Sequence, residues 1–179
     1  MDERQEKIKK TPLYQVHLDL GARMMVFESW AMPEWYSGVI DEHQAVRQAA
    51  GLFDLSHMGR LEVRGAEAFS FLQRAITNDV SRLAVGQAQY TLLCRPDGGI
   101  LDDLVYYRLP DRYLLVVNAA NVENDLSWLA SLRQAWAVAE VEIIDLSSNL
   151  AMMAIQGPQS ARILQRLSSL NLETLGRYR

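Results

Sequence analysis

A single cysteine, Cys94, stands among 179 residues, so no disulfide closes within the chain and its stability must come from burial and hydrogen bonding. The 3 histidines are isolated and give no cluster with metal-ligand spacing, so the expectation is a chain without a metal. No apolar run approaches the length of a membrane span. The opening MDERQEKIKK mixes both signs of charge and reads as a frayed leader rather than a secretory signal or membrane anchor. Basic charge is not in excess: 18 Lys and Arg stand against 22 Asp and Glu. The net charge of −4 supplies no field for phosphate backbones and argues against nucleic acid. No G-x-x-x-x-G-K-[ST] loop, G-x-G-x-x-G fingerprint, G-x-S-x-G elbow or C-x-x-C pair occurs, so nucleotide, hydrolase and zinc chemistries lack their usual signatures. These absences favour a reducing, cytoplasmic setting.

What is present describes a folded protein. Hydrophobic residues make up 49% of the chain and charged residues 22%, close to globular averages. No repeat or Gly/Ser linker interrupts it. The spacing of Val39, Ile40, His43, Val46 and Ala50 predicts a helix after Ser37 with one face buried and Gly51 as a left-handed C-cap. Alternation over residues 60–64 predicts a strand. Phe69, Leu72 and Ile76 form the stripe of a helix over 66–76. The turn cluster from Arg95 to Gly99 joins 87–94 to 100–109 as an antiparallel hairpin. A strand over 113–118 follows, then an Asn121-capped helix carrying Leu126, Leu129, Leu132 and Trp136. Strands over 138–144 and 150–156 precede a helix opened by Gly157 and Pro158, with Ile163, Leu164 and Leu167 inward. Hairpins interspersed with helices imply an α+β fold of mainly antiparallel sheets flanked by helices.

Two adjacent carboxylates, Asp102 and Asp103, cannot share a strand face. Alternation groups Asp102 with Ile100, Leu104, Tyr106 and Arg108. It groups Asp103 with Leu101, Val105, Tyr107 and Leu109, the drier company. A carboxylate among apolar neighbours is costly unless it meets a donor or cation, which makes Asp103 a functional candidate. From spacing alone, a turn-capping role for it stays open. His57 reads as a hydrogen-bonded structural residue and Cys94 as core. Met58, Tyr90, Tyr106 and Tyr107 would suit either a flat-ligand pocket or ordinary core.

Read in order, Thr11-Pro12-Leu13-Tyr14, Leu20-Gly21-Ala22-Arg23-Met24, Met32-Pro33 and Glu42-His43 precede Gly51-Leu52-Phe53-Asp54-Leu55-Ser56-His57-Met58-Gly59. Thr77-Asn78-Asp79, Gln89-Tyr90, Gly98-Gly99-Ile100-Leu101-Asp102-Asp103 and Gln156-Gly157-Pro158 continue the series. This ordered set resembles the N-terminal half of the aminomethyltransferase family, the T-protein of the glycine cleavage system. The resemblance departs at Glu28-Ser29-Trp30-Ala31, where the family carries a small-residue pair and an acidic residue before Met-Pro.

The resemblance implies a three-domain cloverleaf. Residues 1–55 would be the start of its first domain, 56–146 an inserted folate-binding-like domain, and 147–179 the truncated return of the first. It implies a transferase that moves a methylene from a lipoyl-bound aminomethyl group to tetrahydrofolate, a co-substrate, with ammonia released. The catalytic carboxylate maps to Asp103, and folate-lining positions map to Met58, Tyr90, Val105, Tyr107 and Asn118. The expected partners are a lipoylated H-protein and a C-terminal half or second subunit that completes the fragment. The alternatives are a noncatalytic folate-binding module and a scaffold that has lost its site.

Overall fold

The computed structural model describes residues 8–178. It forms two compact units: the described residues up to His57 with Ala151–Leu175, and Met58–Leu150 with the described residues from Gly176.

The first unit opens with β1 (Lys9–Lys10), α1 (Tyr14–Asp19), β2 (Arg23–Phe27) and β3 (Trp30–Trp35). Lys9 and Lys10 run parallel to Trp30 and Ala31, so this end of the expected leader is a strand. Its first seven residues lie outside the described residues. β2 and β3 pair antiparallel through a turn at Glu28 and Ser29. Both turn residues have positive φ, 47° and 63°, in the left-handed region that hairpin turns of two residues use. Next come α2 (Val39–Gln48) and β4 (Gly51–Asp54). The acidic side chain of Glu42 reaches back to accept the N–H groups of Tyr36, Ser37 and Gly38 at 2.6, 2.6 and 3.1 Å, satisfying donors that precede the helix. Two expectations about α2 fail. It buries no residue, with Val39 64% and Ile40 72% exposed. Nor does Gly51 cap it: Ala49 flanks the helix and Gly51 starts β4, where a Cβ would lie 2.5 Å from Val46 Cγ2. Close approach, not a left-handed φ, selects this glycine.

The second unit contains β5 (Gly59–Arg64), α3 (Ala68–Ala75), β6 (Ala88–Cys94), β7 (Ile100–Arg108), β8 (Arg112–Val117), α4 (Val122–Ala135) and β9 (Glu142–Asp145). Its sheet is antiparallel, in the order β6-β7-β8-β5-β9. The expected β6–β7 hairpin is present, with Tyr90 opposite Val105. One face of the sheet packs on α3 and α4. Leu61, Val63, Leu93, Tyr106, Leu115 and Leu129 are fully buried there, each contributing about 1.5–3 kcal/mol by leaving water. The buried stripe of α3 is Ala68, Phe71, Leu72 and Ala75, at intervals of three, one and three. Phe69, expected on that stripe, is 42% exposed, because it falls one residue off the period. Gly65 is required where the chain leaves β5: its φ is +115°, and a Cβ would meet the Glu140 carbonyl oxygen at 2.1 Å.

The chain then returns to the first unit as β10 (Met153–Gln156), antiparallel to β4, and α5 (Ser160–Gln165). The expected inner face of α5 is open: Ile163 and Leu164 are 38% and 39% exposed and Leu167 is 83% exposed. Among the described residues no helix is long and apolar enough to cross a membrane.

Candidate functional site

Alternation along β7 separates the paired carboxylates as expected, but the covered side is the reverse of the one anticipated. Asp102 lies with Leu104 and Tyr106 on the helix-covered face, at 3%, 2% and 0% exposure. Asp103 and Tyr107 look out from the open face. Both faces of β7 carry apolar and aromatic residues, so alternation alone could not say which one the helices cover.

On the open face the register gathers residues from three strands. Asp103 is opposite Leu92, one step along from the Tyr90–Val105 pair, so the tyrosine ring reaches it diagonally. The Tyr90 hydroxyl donates to Asp103 Oδ2 at 3.0 Å. That bond, with burial and the Asp103 charge behind it, raises the Tyr90 phenol above its usual value. From the other side Asn118, just past β8, donates its Nδ2 to the Asp103 backbone oxygen at 2.9 Å and to Asp103 Oδ1 at 3.2 Å. Asp103 is thus held at both carboxylate oxygens while remaining exposed.

The other expected residues stand differently. Val105 and Tyr107 follow Asp103 on the same strand and face, opposite Tyr90 and Ala88, and make no side-chain hydrogen bond to the cluster. Met58 immediately precedes β5, and its carbonyl accepts from the Arg60 guanidinium, which also reaches the carbonyls of Ser147 and Leu150. His57 packs edge-on against Phe27 with ring centroids 5.9 Å apart, in the first unit. Cys94 is half-buried.

Beneath Asn118 lies a second layer that the sequence reading missed. Asp102 Oδ2 accepts the Asn118 backbone N–H at 3.1 Å, and Oδ1 accepts from Asn118 Nδ2 at 2.8 Å and Asn121 Nδ2 at 2.6 Å. Asn121 does occupy the N-cap position of α4, but its side chain makes no cap hydrogen bond and turns to Asp102 instead. Asp125, one turn into α4, is 1% exposed. Burial first, then Asp102, push its carboxyl up to about 8. The available signal was its spacing from Leu129 and Leu132, which puts Asp125 on the inner stripe of the helix.

A separate buried polar group occupies the first unit. His17, 6% exposed, meets Tyr36 Oη through Nδ1 at 2.8 Å and Asp54 Oδ2 through Nε2 at 2.9 Å. Burial alone would raise the Asp54 carboxyl, but hydrogen bonds from Ser56 and His17 hold it below its usual value. Among the described residues no group of three or more His, Cys, Asp or Glu side chains is arranged to hold a metal ion.

Residues 13–178 match the model of the GCVT N-terminal domain family. An aminomethyltransferase from Symbiobacterium thermophilum is 50% identical over 165 residues, covering 92% of this chain and 44% of the relative. One from Halothermothrix orenii is 47% identical over 172 residues, covering 96% of this chain and 47% of the relative. The crystal structure of glycine cleavage system aminomethyltransferase T from Bartonella henselae superposes with a TM-score of 0.83 at 39% identity, over 89% of this chain and 43% of that one. The chain therefore spans about half the length of the curated relatives it matches.

Proposed function

The chain belongs to the family of the GCVT N-terminal domain, and on that premise we propose that it carries the folate-facing part of a glycine cleavage system aminomethyltransferase. The reaction transfers the methylene of an aminomethyl group, held on the lipoyl arm of the H-protein, to tetrahydrofolate and releases ammonia. The observation that carries this reading is the cluster of Tyr90, Asp103 and Asn118, in which a carboxylate is secured at both oxygens on an open sheet face.

The residues present suit such a ligand. Tyr90 and Tyr107, 47% and 39% exposed, give flat apolar surface on the same open face as a carboxylate that can face an amine. Tetrahydrofolate supplies the nucleophilic nitrogen. The task left to the protein is to orient two ligands and to stabilise positive charge as it develops on carbon and nitrogen. Asp103 provides the opposing charge. Because Tyr90 and Asn118 already hold it, little reorganisation is needed when that charge appears. Met58, Val105 and Tyr107 line the ligand rings in this reading, and the Asn118 amide serves both to fix Asp103 and to meet the ligand.

The lipoylated H-protein is the proposed partner, and the cytoplasm the proposed setting. Residues 56–146 are assigned as the inserted folate-binding domain, and 1–55 with 147–179 as parts of the first domain. The open side chains of Ile40, Leu52 and Leu167, 72%, 68% and 83% exposed, support a requirement for further polypeptide, as a C-terminal half or second subunit, before turnover.

The test is a titration of the purified chain with tetrahydrofolate, or a stable reduced analogue, under anaerobic conditions, following tryptophan fluorescence and thermal stability. Saturable binding that Asp103→Asn weakens is expected. In an assembly completed with the C-terminal half and H-protein, Asp103→Asn should lower turnover by about a hundredfold or more, the scale of removing one preorganised electrostatic group. A folded chain that binds no reduced folate, or unchanged turnover in Asp103→Asn, overturns the assignment.

A further inference from the structure

The layer beneath Asp103 holds two buried carboxyl groups. Asp102 and Asp125 are 3% and 1% exposed, and among the described residues neither forms an ion pair with a lysine or arginine. The two are not equivalent. Asp102 accepts three N–H bonds, from Asn118 twice and from Asn121 once. Neither oxygen of Asp125 has a donor within reach. Asp125 stands one turn along α4 from Asn121, its N–H donating to the Asn121 carbonyl at 2.8 Å, and the Asn121 side chain bonds Asp102 Oδ1, so the two carboxyls adjoin one buried space; a hydrogen bond between them requires a proton on one.

We propose that Asp125 is a positioning residue: it carries the proton of a buried carboxyl pair, donates it to Asp102, and so sets the placement of Asn118 and, through Asn118, of Asp103. This rests on the reading of Asp103 as the working carboxylate. Two buried, unpaired carboxylates side by side are each deprived of water and repel one another, so one of them keeps its proton. Asp102 is the better site for the charge, because three N–H groups already point at it. With Asp125 protonated, Asp102 has a fourth donor and no competitor. Loss of that proton puts a second charge against Asp102, and the movable link is the Asn118 side chain. Its Nδ2 lies 2.8 Å from Asp102 Oδ1 and 3.2 Å from Asp103 Oδ1, so a displacement of Asp102 is felt at Asp103 through a single amide.

The surroundings of Asp125 contain little else that would drive the same response. From β7 the facing group is Asp102, and the segment before α4 brings only the neutral amides of Asn118 and Asn121, both bonded to Asp102. On α3, Arg74 lies over the Trp136 ring, at the far end of α4, at 4.0 Å. On β9, Glu142 pairs with Arg64 at 2.7 Å, and Asp145 accepts the Ser147 N–H at 2.8 Å. On α4 itself Glu123 is exposed.

The experiment is an NMR titration of the whole chain from about pH 6 to about pH 9, the interval spanning a carboxyl displaced this far from its usual range. The Asp125 carboxyl carbon and the Asn118 side-chain amide are followed together, and affinity for a stable reduced folate analogue is measured at each pH. Both resonances should move with one midpoint, near 8, and affinity should fall several-fold through the same step. In Asp125→Asn, which keeps the size and the donor but cannot ionise, the amide should stay still and affinity should become independent of pH in this range. The wild-type titration needs no variant to fold. An Asn118 amide that does not respond as Asp125 titrates, or a step that survives in Asp125→Asn, overturns the pair. A linked step in a chain that binds no folate would support the pair and remove the functional reading. Folate binding with an unresponsive Asn118 would do the opposite.

Discussion

Replacing Asn118 tests the cluster at the point where its two layers join. The side-chain amide has two hydrogens and three acceptors, Asp102 Oδ1 at 2.8 Å, the Asp103 backbone oxygen at 2.9 Å and Asp103 Oδ1 at 3.2 Å, so one hydrogen is shared. Asn118→Ala removes these bonds and keeps the backbone N–H that Asp102 also uses. Hydrogen bonds to charged groups are worth about 1.5–3 kcal/mol each. Asp102 retains Asn121 and Asp103 retains Tyr90, so a loss of about 2 kcal/mol is expected. Asn118→Asp removes the same bonds and adds an acceptor between two carboxyls. Like charges about 4 Å apart at an effective dielectric near 20 repel by about 4 kcal/mol, a cost limited because the new carboxyl can take up a proton. It should therefore be less stable than Asn118→Ala by roughly 1–3 kcal/mol near neutral pH, with the gap closing as pH approaches about 4. The assay is urea unfolding by fluorescence. Trp30 and Trp35 are changed to Phe so that Trp128 and Trp136 report the second unit alone. If the two variants differ by less than about 0.5 kcal/mol at every pH, the amide is not the joint described.

Two further outcomes follow from the same unit. Leu115, fully buried on β8 and opposite Leu61 on one side and Tyr106 on the other, should cost about 2–5 kcal/mol as Leu115→Ala in the same unfolding assay. The pH dependence of stability should carry the mark of Asp125, whose carboxyl is raised from 3.8 to about 8 by burial first and Asp102 second. Between those values the folded chain holds a proton that the unfolded chain releases. The stability Asp125 contributes is therefore complete below the lower value and is lost as pH rises through the upper one, by at most about 1.4 kcal/mol per pH unit. Taken as wild type minus Asp125→Asn, so that other carboxyls cancel, urea midpoints should decline across this window; a difference that is flat or rises would contradict the buried proton.

The fold class and the second unit were readable from local pattern because their signals were redundant. The 95–99 turn cluster, the apolar runs on either side and the alternation within them all specified one hairpin, and β6–β7 is that hairpin. Where a single cue stood alone it misled. Glycine after a helical run suggested a C-cap at Gly51, whereas that position is set by the nearness of Val46, a contact that no spacing encodes. Apolar stripes on α2 and α5 implied inner faces, yet periodicity states only that a helix has an apolar side and not what covers it.

The site was legible to a different depth. Strand alternation established that Asp102 and Asp103 point apart, which is the feature the proposed chemistry needs, but it took the face of Asp103 for the drier one, and with apolar and aromatic residues on both faces it could not tell which one the helices cover. The family resemblance selected Asp103 on grounds independent of burial, and the structure then supplies a different physical reason to look at it: an exposed carboxylate is useful here because Tyr90 and Asn118 hold it in the open. The burial argument, applied to the residue that is in fact buried, leads instead to Asp102 and across to Asp125. No motif links residues 102, 118, 121 and 125, since they come from a strand, a strand end, a helix start and a helix face. A cost attached to every buried carboxyl would have demanded that each find a donor, and Asp125 is the one for which none is in reach.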